Sequence, residues 1–368
     1  MADIRIQKLA ELLVKYSTRI KAGDKAVINT PSAGMPLARA IYLELINAGA
    51  HPIVLPRGDF DDLLFRHGSL EQLQFVHQPA RYIIENYDAR FAILADDNTK
   101  KLSTIAPENM VAFDRARTDL MKTSMARSAS GDLKWVVAPF PTCAMAQEAE
   151  MSLEEYENFV YSACMPDITD PIGYWTRQST RLQKVVDWLK GRTEVHLTAP
   201  ETDLKLSIAG RNFVKCDGQF NMPDGEVFTG PVENSASGHV YFSYPAIEGG
   251  REVTGVRLWF ENGKVVKATA EKNEEFLLKT LDTDEGARRL GEFAIGTNDG
   301  ITKFTGEILF DEKIGGSFHL ALGAGYPETG SLNESAIHWD MICDLRNGGE
   351  IRVDGDTLFK DGKFVIDF

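Results

Sequence analysis

The side chains best suited to metal or acid–base chemistry in this chain are its seven histidines, and their surroundings differ. Imidazole is a common ligand of catalytic metals, and carboxylates complete such sites. His51, His67 and His77 stand in the first half without carboxylates patterned around them and read as surface or helix-terminal residues. His196 and His239 fall in strand-like runs and gain no partner from spacing. His338 and Asp340 are set two apart in the apolar run Ile337-His338-Trp339-Asp340-Met341-Ile342. Residues two apart on a strand share a face, so His338 and Asp340 point together while Ile337, Trp339 and Met341 point away. Burying two unpaired polar groups costs several kcal/mol or so. A metal ion would satisfy them, and a His–Asp hydrogen bond on an exposed face is the plainer alternative.

His319 lies in the glycine-flanked apolar segment Gly315 to Gly323, where glycines permit close backbone approach. Tyr326 follows, just before Pro327; its phenol suits donation to an oxyanion, or equally a packed tyrosine satisfied by backbone. The candidate carboxylates lie upstream. Glu226 emerges from the turn Asn221-Met222-Pro223-Asp224-Gly225 at the start of a short apolar strand, and Glu292 opens another apolar run after Leu290-Gly291. Asp311 and Glu312 precede His319. Taken singly, each of these acids reads as a surface residue rather than a ligand.

Two kinds of sequence must position these groups. In the first half, apolar residues recur at helical spacing over 4–20 and 35–48, and a longer helix covers 107–125. Short apolar runs at 25–30, 52–55, 91–95 and 135–138 read as strands between them. Strands alternating with helices predict an α/β domain with a mostly parallel sheet. No Gly-x-Gly-x-x-Gly follows a strand and no Gly-Lys-Ser/Thr loop occurs, so this half carries no phosphate-binding signature. Helices over 152–164 and 171–190 lead out of it. Beyond about residue 191 strand-like runs dominate (195–198, 204–208, 253–260, 264–270, 351–353, 364–366), with one helix over 274–289 and Asn-Gly and Asp-Gly turns between strands. The expected architecture is therefore a scaffold or substrate-shaping α/β domain over 1–190 and an α+β domain with mainly antiparallel strands over 191–368, which carries the candidate metal-binding and catalytic residues.

Composition narrows the function classes. Hydrophobic residues at 43% and charged residues at 26% match a soluble globular enzyme large enough for two cores. A net charge of −14 disfavours nucleic acid, whose phosphates require a basic surface. No apolar run is long enough for a membrane span and the first 21 residues are charged throughout, so a cytoplasmic location is expected. The four cysteines are widely spaced, which argues for free thiols over disulfides or a thiolate zinc site.

Four ordered blocks carry a closer identification: Asn221 to Thr229, Gly286 to Glu292, His319 to Pro327, and His338-Trp339-Asp340. Together they resemble the thermophilic metalloaminopeptidase family. The resemblance implies that Glu226, Glu292, His319, His338 and Asp340 bind two divalent ions, with zinc, cobalt or manganese as suitable metals. It implies catalytic roles for Tyr326 and Glu312, although the segment between Glu312 and His319 is longer than the family pattern. In this scheme Glu292 bridges the ions, which lie about 3.5–4 Å apart and activate a water. Tyr326 donates to the oxyanion and Glu312 shuttles a proton. The expected substrates are peptides with a free N-terminus, and the expected assembly is a homodimer enclosing its active sites. The alternatives are another metal-dependent amide hydrolase, such as a dipeptidase or amidase, and a non-enzymatic binding protein on the same fold.

Overall fold

A computed structural model describes residues 3–248 and 250–368. Its compact units are Met1–Tyr174 with Gly218–Pro223, and Trp175–Asp217 with Asp224–Phe368. Sequence places the division after residue 190, whereas the compact units divide inside the helix that precedes it.

The first unit alternates helices and strands: α1 (Ile4–Leu12), β1 (Lys25–Thr30), α2 (Met35–Asn47), β2 (His51–Pro56), α3 (Asp61–His67), α4 (Leu70–Gln74), α5 (Gln78–Asn86), β3 (Ala89–Leu94), α6 (Pro107–Ala129), β4 (Lys134–Pro139), α7 (Cys143–Glu148) and α8 (Leu153–Cys164). Its strands form a parallel sheet in the order β2-β1-β3-β4. Parallel strands need cover on both faces, which accounts for the nearly unbroken apolar character of Ala26, Val27 and Ile28. The helix expected over 4–20 continues past α1 as a π-helical turn, Leu13–Ser17. Helices α3, α4 and α5 have no counterpart in the sequence expectation; none is longer than nine residues, a short window in which to recognise a helical period. Helix α9 (Pro171–Leu189) spans the division between the units.

The second unit holds β5 (Glu194–Ala199), β6 (Thr202–Ser207), β7 (Val214–Cys216), β8 (Glu226–Thr229), β9 (Ser237–Tyr241), β10 (Ala246–Glu248), β11 (Arg251–Val253), β12 (Arg257–Glu261), β13 (Lys264–Thr269), α10 (Glu274–Leu281), β14 (Leu290–Gly296), α11 (Ile308–Asp311), β15 (Ser317–Gly323), β16 (His338–Asp344), β17 (Glu350–Val353), β18 (Asp356–Lys360) and β19 (Lys363–Phe364). One antiparallel sheet runs β13-β12-β9-β6-β5-β17-β18-β19, a second runs β16-β15-β14-β8-β7, and β10 and β11 form a hairpin. A single apolar core contains Leu197, Leu204 and Leu258 from the first sheet, Phe293, Leu320 and Met341 from the second, and Leu182 and Val185 of α9. The run expected as one strand over 253–260 is split into β11 and β12. Gly255 breaks it: its φ is +66° and a Cβ there would meet Glu271 at 2.5 Å. The helix expected over 274–289 stops at Leu281, and only a 3₁₀ turn follows at Gly286–Arg288. Among the described residues no helix is long and apolar enough to cross a membrane.

Candidate metal centre

Register in the five-stranded sheet sorts its side chains onto two faces. Across β14, β15 and β16, Glu292 pairs with Ala321 and Ala321 with Asp340; on neighbouring strands Gly296 pairs with Glu226, Ala294 with His319 and Gly323 with His338. By strand alternation Glu226, Glu292, His319, His338 and Asp340 all fall on one face. The other face carries Val227, Phe293, Leu320, Trp339 and Met341, all in the apolar core. Ala294, Ala321 and Gly296 form a floor of small residues between the polar groups. A register shift between Leu290 and Glu292 lets Leu290 and Phe293 both enter the core while Glu292 turns to the polar face. Gly291 is the residue that permits it, since a Cβ there would lie 2.2 Å from the Ala324 carbonyl. The turn that delivers Glu226 depends likewise on Gly225, with φ of +123° and Asn298 packed against it.

The candidate ligand atoms converge. His319 Nε2 lies 3.5 Å from Glu226 Oε2, 3.7 Å from Glu292 Oε1 and 3.9 Å from Asp340 Oδ1. His338 Nε2 lies 3.2 Å from Glu292 Oε2 and 3.5 Å from Asp340 Oδ1. The ligand atoms of Glu226, Glu292 and His319 lie within 4.8 Å of one another, and so do those of Glu292, His338 and Asp340. Each histidine is oriented by its other nitrogen. Nδ1 of His319 donates to the Glu312 carbonyl at 2.8 Å and Nδ1 of His338 to the Ala324 carbonyl at 2.7 Å, leaving both Nε2 atoms aimed into the cluster.

Burial and charge pull these groups in opposite directions. Burial acts to lower both histidine pKa values, but the carboxylates outweigh it and hold His319 at about 10 and His338 at about 11. Burial pushes Glu226 up to about 8, against the pull of Lys313. For Glu292 and Asp340 burial acts upward, but the histidines prevail and hold both carboxyls below their ordinary range. A cation entering this cluster must therefore displace protons from its histidines, as at any site whose ligands lose protons on binding.

Tyr326 stands at the edge of this face, 39% exposed. Its ring meets those of His338 at 5.1 Å and Phe228 at 5.3 Å, and its carbonyl caps the following turn by accepting from Thr329. Burial of its ring, then the charges of Glu292 and Asp340, raise its pKa, so the phenol keeps its proton. A carboxyl oxygen of Glu312 lies with His319 and Asp340 ligand atoms inside the same 4.8 Å limit, and its side chain is paired to Lys313. Asp311 instead closes a loop, accepting from Thr305 and Gly306.

Sequence reasoning did not single out four neighbours of the site. Lys313 is fully buried and reaches within 3.9 Å of Glu226; in the sequence it follows Asp311 and Glu312 and reads as part of a charged surface turn. Asp224 and Cys216 cluster with Glu226. Glu248 arrives on β10, which packs beside the edge strand β16. His196 is drawn off to Asp203 at 2.8 Å, and none of His51, His67, His77, His196 or His239 joins the cluster.

The donor set suits divalent cations. Oε2 of Glu226 and Oδ1 of Asp340 are buried and have no hydrogen-bond partner among the described residues. Leaving such oxygens unsatisfied costs about 1–3 kcal/mol each or more, which a cation between them would recover. Mixed imidazole and carboxylate donors are those that zinc, cobalt or manganese accept.

Comparison with known proteins points to a metal-dependent enzyme. The chain is 28% identical to aminopeptidase T of Thermus thermophilus, covering 97% of this chain and 95% of that one. It is 27% identical to aminopeptidase 2 of Geobacillus stearothermophilus, with the same coverage of each. A solved structure of wild-type AmpT from Thermus thermophilus superposes with a TM-score of 0.87 at 25% identity, over 99% of both chains. The family model described as thermophilic metalloprotease (M29) matches residues 2–364, and the chain belongs to that family.

Proposed function

We propose that this chain, a metalloaminopeptidase, removes N-terminal residues from peptides with two divalent ions held by Glu226, Glu292, His319, His338 and Asp340. The observation that carries the two-ion reading is the division of Glu292: Oε1 faces His319 and Oε2 faces His338. One carboxylate thereby serves two overlapping ligand sets, with Glu226 beside the first and Asp340 beside both. Charge supports the same count. Asp224, Glu226, Glu292, Glu312 and Asp340 bring five negative charges when ionised; Lys313 offsets one, and two divalent ions offset the remaining four.

When bound, the ions would supply Lewis acidity, drawing the pKa of water towards neutrality and polarising the scissile carbonyl. The protein's own groups do the rest. Tyr326 retains its proton and hydrogen-bonds through it to the oxygen on which charge develops. Glu312, whose pKa burial raises against the pull of Lys313, takes a proton from the attacking water and returns one to the leaving amine.

Selection for a free N-terminus falls to Glu248. Tyr244 N donates to the Ile342 carbonyl at 3.4 Å and Asp344 N to Ser243 Oγ at 2.7 Å, so this segment runs antiparallel along β16 and brings Glu248 towards His338. Glu248 is half-buried, has no ion-pair partner among the described residues and lies outside the ligand set. It is the free acceptor for a substrate ammonium. Glu248→Gln is expected to raise KM for leucine p-nitroanilide by roughly tenfold or more, the worth of a charge-assisted hydrogen bond, with metal content unchanged. An unaltered KM in steady-state kinetics would remove Glu248 from this role.

The first unit shapes the peptide's approach in this reading, and the working form is a cytoplasmic homodimer, which light scattering tests. The decisive assay uses EDTA-treated protein and leucine p-nitroanilide beside its N-acetylated twin, before and after adding zinc, cobalt or manganese. Metal-restored cleavage of the free amine alone is expected. Cleavage of both substrates would indicate a broader amidase, and silence with every metal a binding protein.

A further inference from the structure

The first unit contains a cavity of about 820 Å³ between its parallel sheet and the helices over one face. It exists because that helix layer does not close down on the strands. Helix α5 has no buried residue, and Leu120 is the only one of α6, although α6 runs for 23 residues. Leu55 of β2, Ile83 of α5, and Phe113 and Leu120 of α6 line the space. Its size is that of small-molecule sites, and its walls are the apolar surface such sites use.

The floor carries a charge. Arg90 stands on β3 in the middle of the sheet, paired in register with Val27 on one side and Trp135 on the other. Leu55 and Asn29 lie on the same face and also line the cavity. A guanidinium in such a place is costly to bury unless an acceptor meets it. Among the described residues the Arg90 side chain has no ion-pair or hydrogen-bond partner, and neither has that of Arg57, which follows β2 at the cavity wall. Burial, then the repelling charge of Arg57, hold the Arg90 guanidinium below its ordinary pKa. Arg117 is the contrasting case: it lines the same space but is spent on the carbonyls of Leu73, Phe75 and Phe113. The two carboxylates of the wall do not relieve Arg90. Asp59 accepts from the backbone and hydroxyl of Ser32, and Asp61 forms no ion pair among the described residues.

We propose that this cavity binds a small amphiphilic anion, its carboxylate on Arg90 and Arg57 and its aliphatic or aromatic tail against Leu55, Ile83, Phe113 and Leu120. Planar guanidinium groups match carboxylate geometry, and a partly dehydrated site strengthens the contact. Two sources present this chemistry: a free carboxylic acid, and the C-terminus of a peptide ending in an apolar residue. The cavity lies wholly within the first unit, so the inference stands or falls independently of the peptidase reading.

The test is calorimetric titration of the full-length protein with octanoate, 1-octanol and N-acetyl-leucyl-phenylalanine. Saturable octanoate binding with one site per chain is expected, at least tenfold tighter than 1-octanol. Arg90→Met is expected to weaken it at least tenfold, and Arg57→Gln, a change at an exposed position that spares the fold, severalfold. Tighter binding of the acetylated dipeptide than of octanoate would assign the site to a peptide C-terminus, and the reverse to a free acid. Equal affinity for octanoate and octanol, no saturable binding, or binding untouched by both substitutions would overturn the proposal and leave a water-filled space.

Discussion

Glu292→Ala is expected to reduce leucine p-nitroanilide hydrolysis by a factor on the order of 10³ or more and to lower bound metal at the same time. The size follows from several kcal/mol of charge stabilisation lost with the ions, at about 1.4 kcal/mol per factor of ten. Glu292 is chosen over the other acids because its two oxygens face different histidines, 3.7 Å and 3.2 Å away. Losing it should therefore disturb both ion positions, whereas losing Glu226 should disturb chiefly the one beside His319. Metal analysis after gel filtration distinguishes the cases, with far-ultraviolet circular dichroism to show the fold intact. A variant that keeps its activity and metal but unfolds more easily would mean that Glu292 is an ion-pair partner of the histidines and nothing more.

The site was legible in the sequence where its chemistry is local to a strand. The alternation His338-Trp339-Asp340 fixes which side chains share a face, and Trp339, only 1% exposed, lies on the other. Strand β1 matches its expected range, 25–30, because a buried parallel strand reads as an unbroken apolar run. What was not legible depends on contacts distant in the chain. Nothing near Lys313 announces that its charge is fully enclosed, because the enclosing carboxylates include Glu226 on β8. Glu248 belongs to a hairpin whose position beside β16 is set by Tyr244 and Ser243 meeting Ile342 and Asp344. Gly255 and Gly291 show the same limit from the backbone side. One splits an apolar run into two strands and the other turns Glu292 to the polar face, and both effects come from neighbours that sequence does not display. Helices α3 to α5 were missed because none exceeds nine residues, fewer than the roughly eleven over which a helical period is read.

Lys313→Met is expected to cost the EDTA-treated protein about 3–5 kcal/mol of unfolding free energy, the penalty for breaking a buried charge pair from one side. The side chain is fully buried, paired to Glu312 and 3.9 Å from Glu226 Oε1. Burial alone would favour the neutral amine, but Glu312, Glu226 and Asp224 prevail and raise its pKa, so the group folds as a cation. Methionine keeps much of the volume and removes the charge. The metal-loaded variant should lose less than the metal-free one, because the ions supply positive charge to the same carboxylates. By linkage, a variant destabilised more in the metal-free state must bind metal more tightly than the wild type, even as its rate falls with the loss of a fixed Glu312. Urea unfolding in both states and a competition titration for metal read the two halves of this prediction. Equal destabilisation with and without metal, or weaker metal binding, would make Lys313 a steric prop for Glu312, and the charge count behind the two-ion reading would then lose the one protein cation that brings five negative charges down to four.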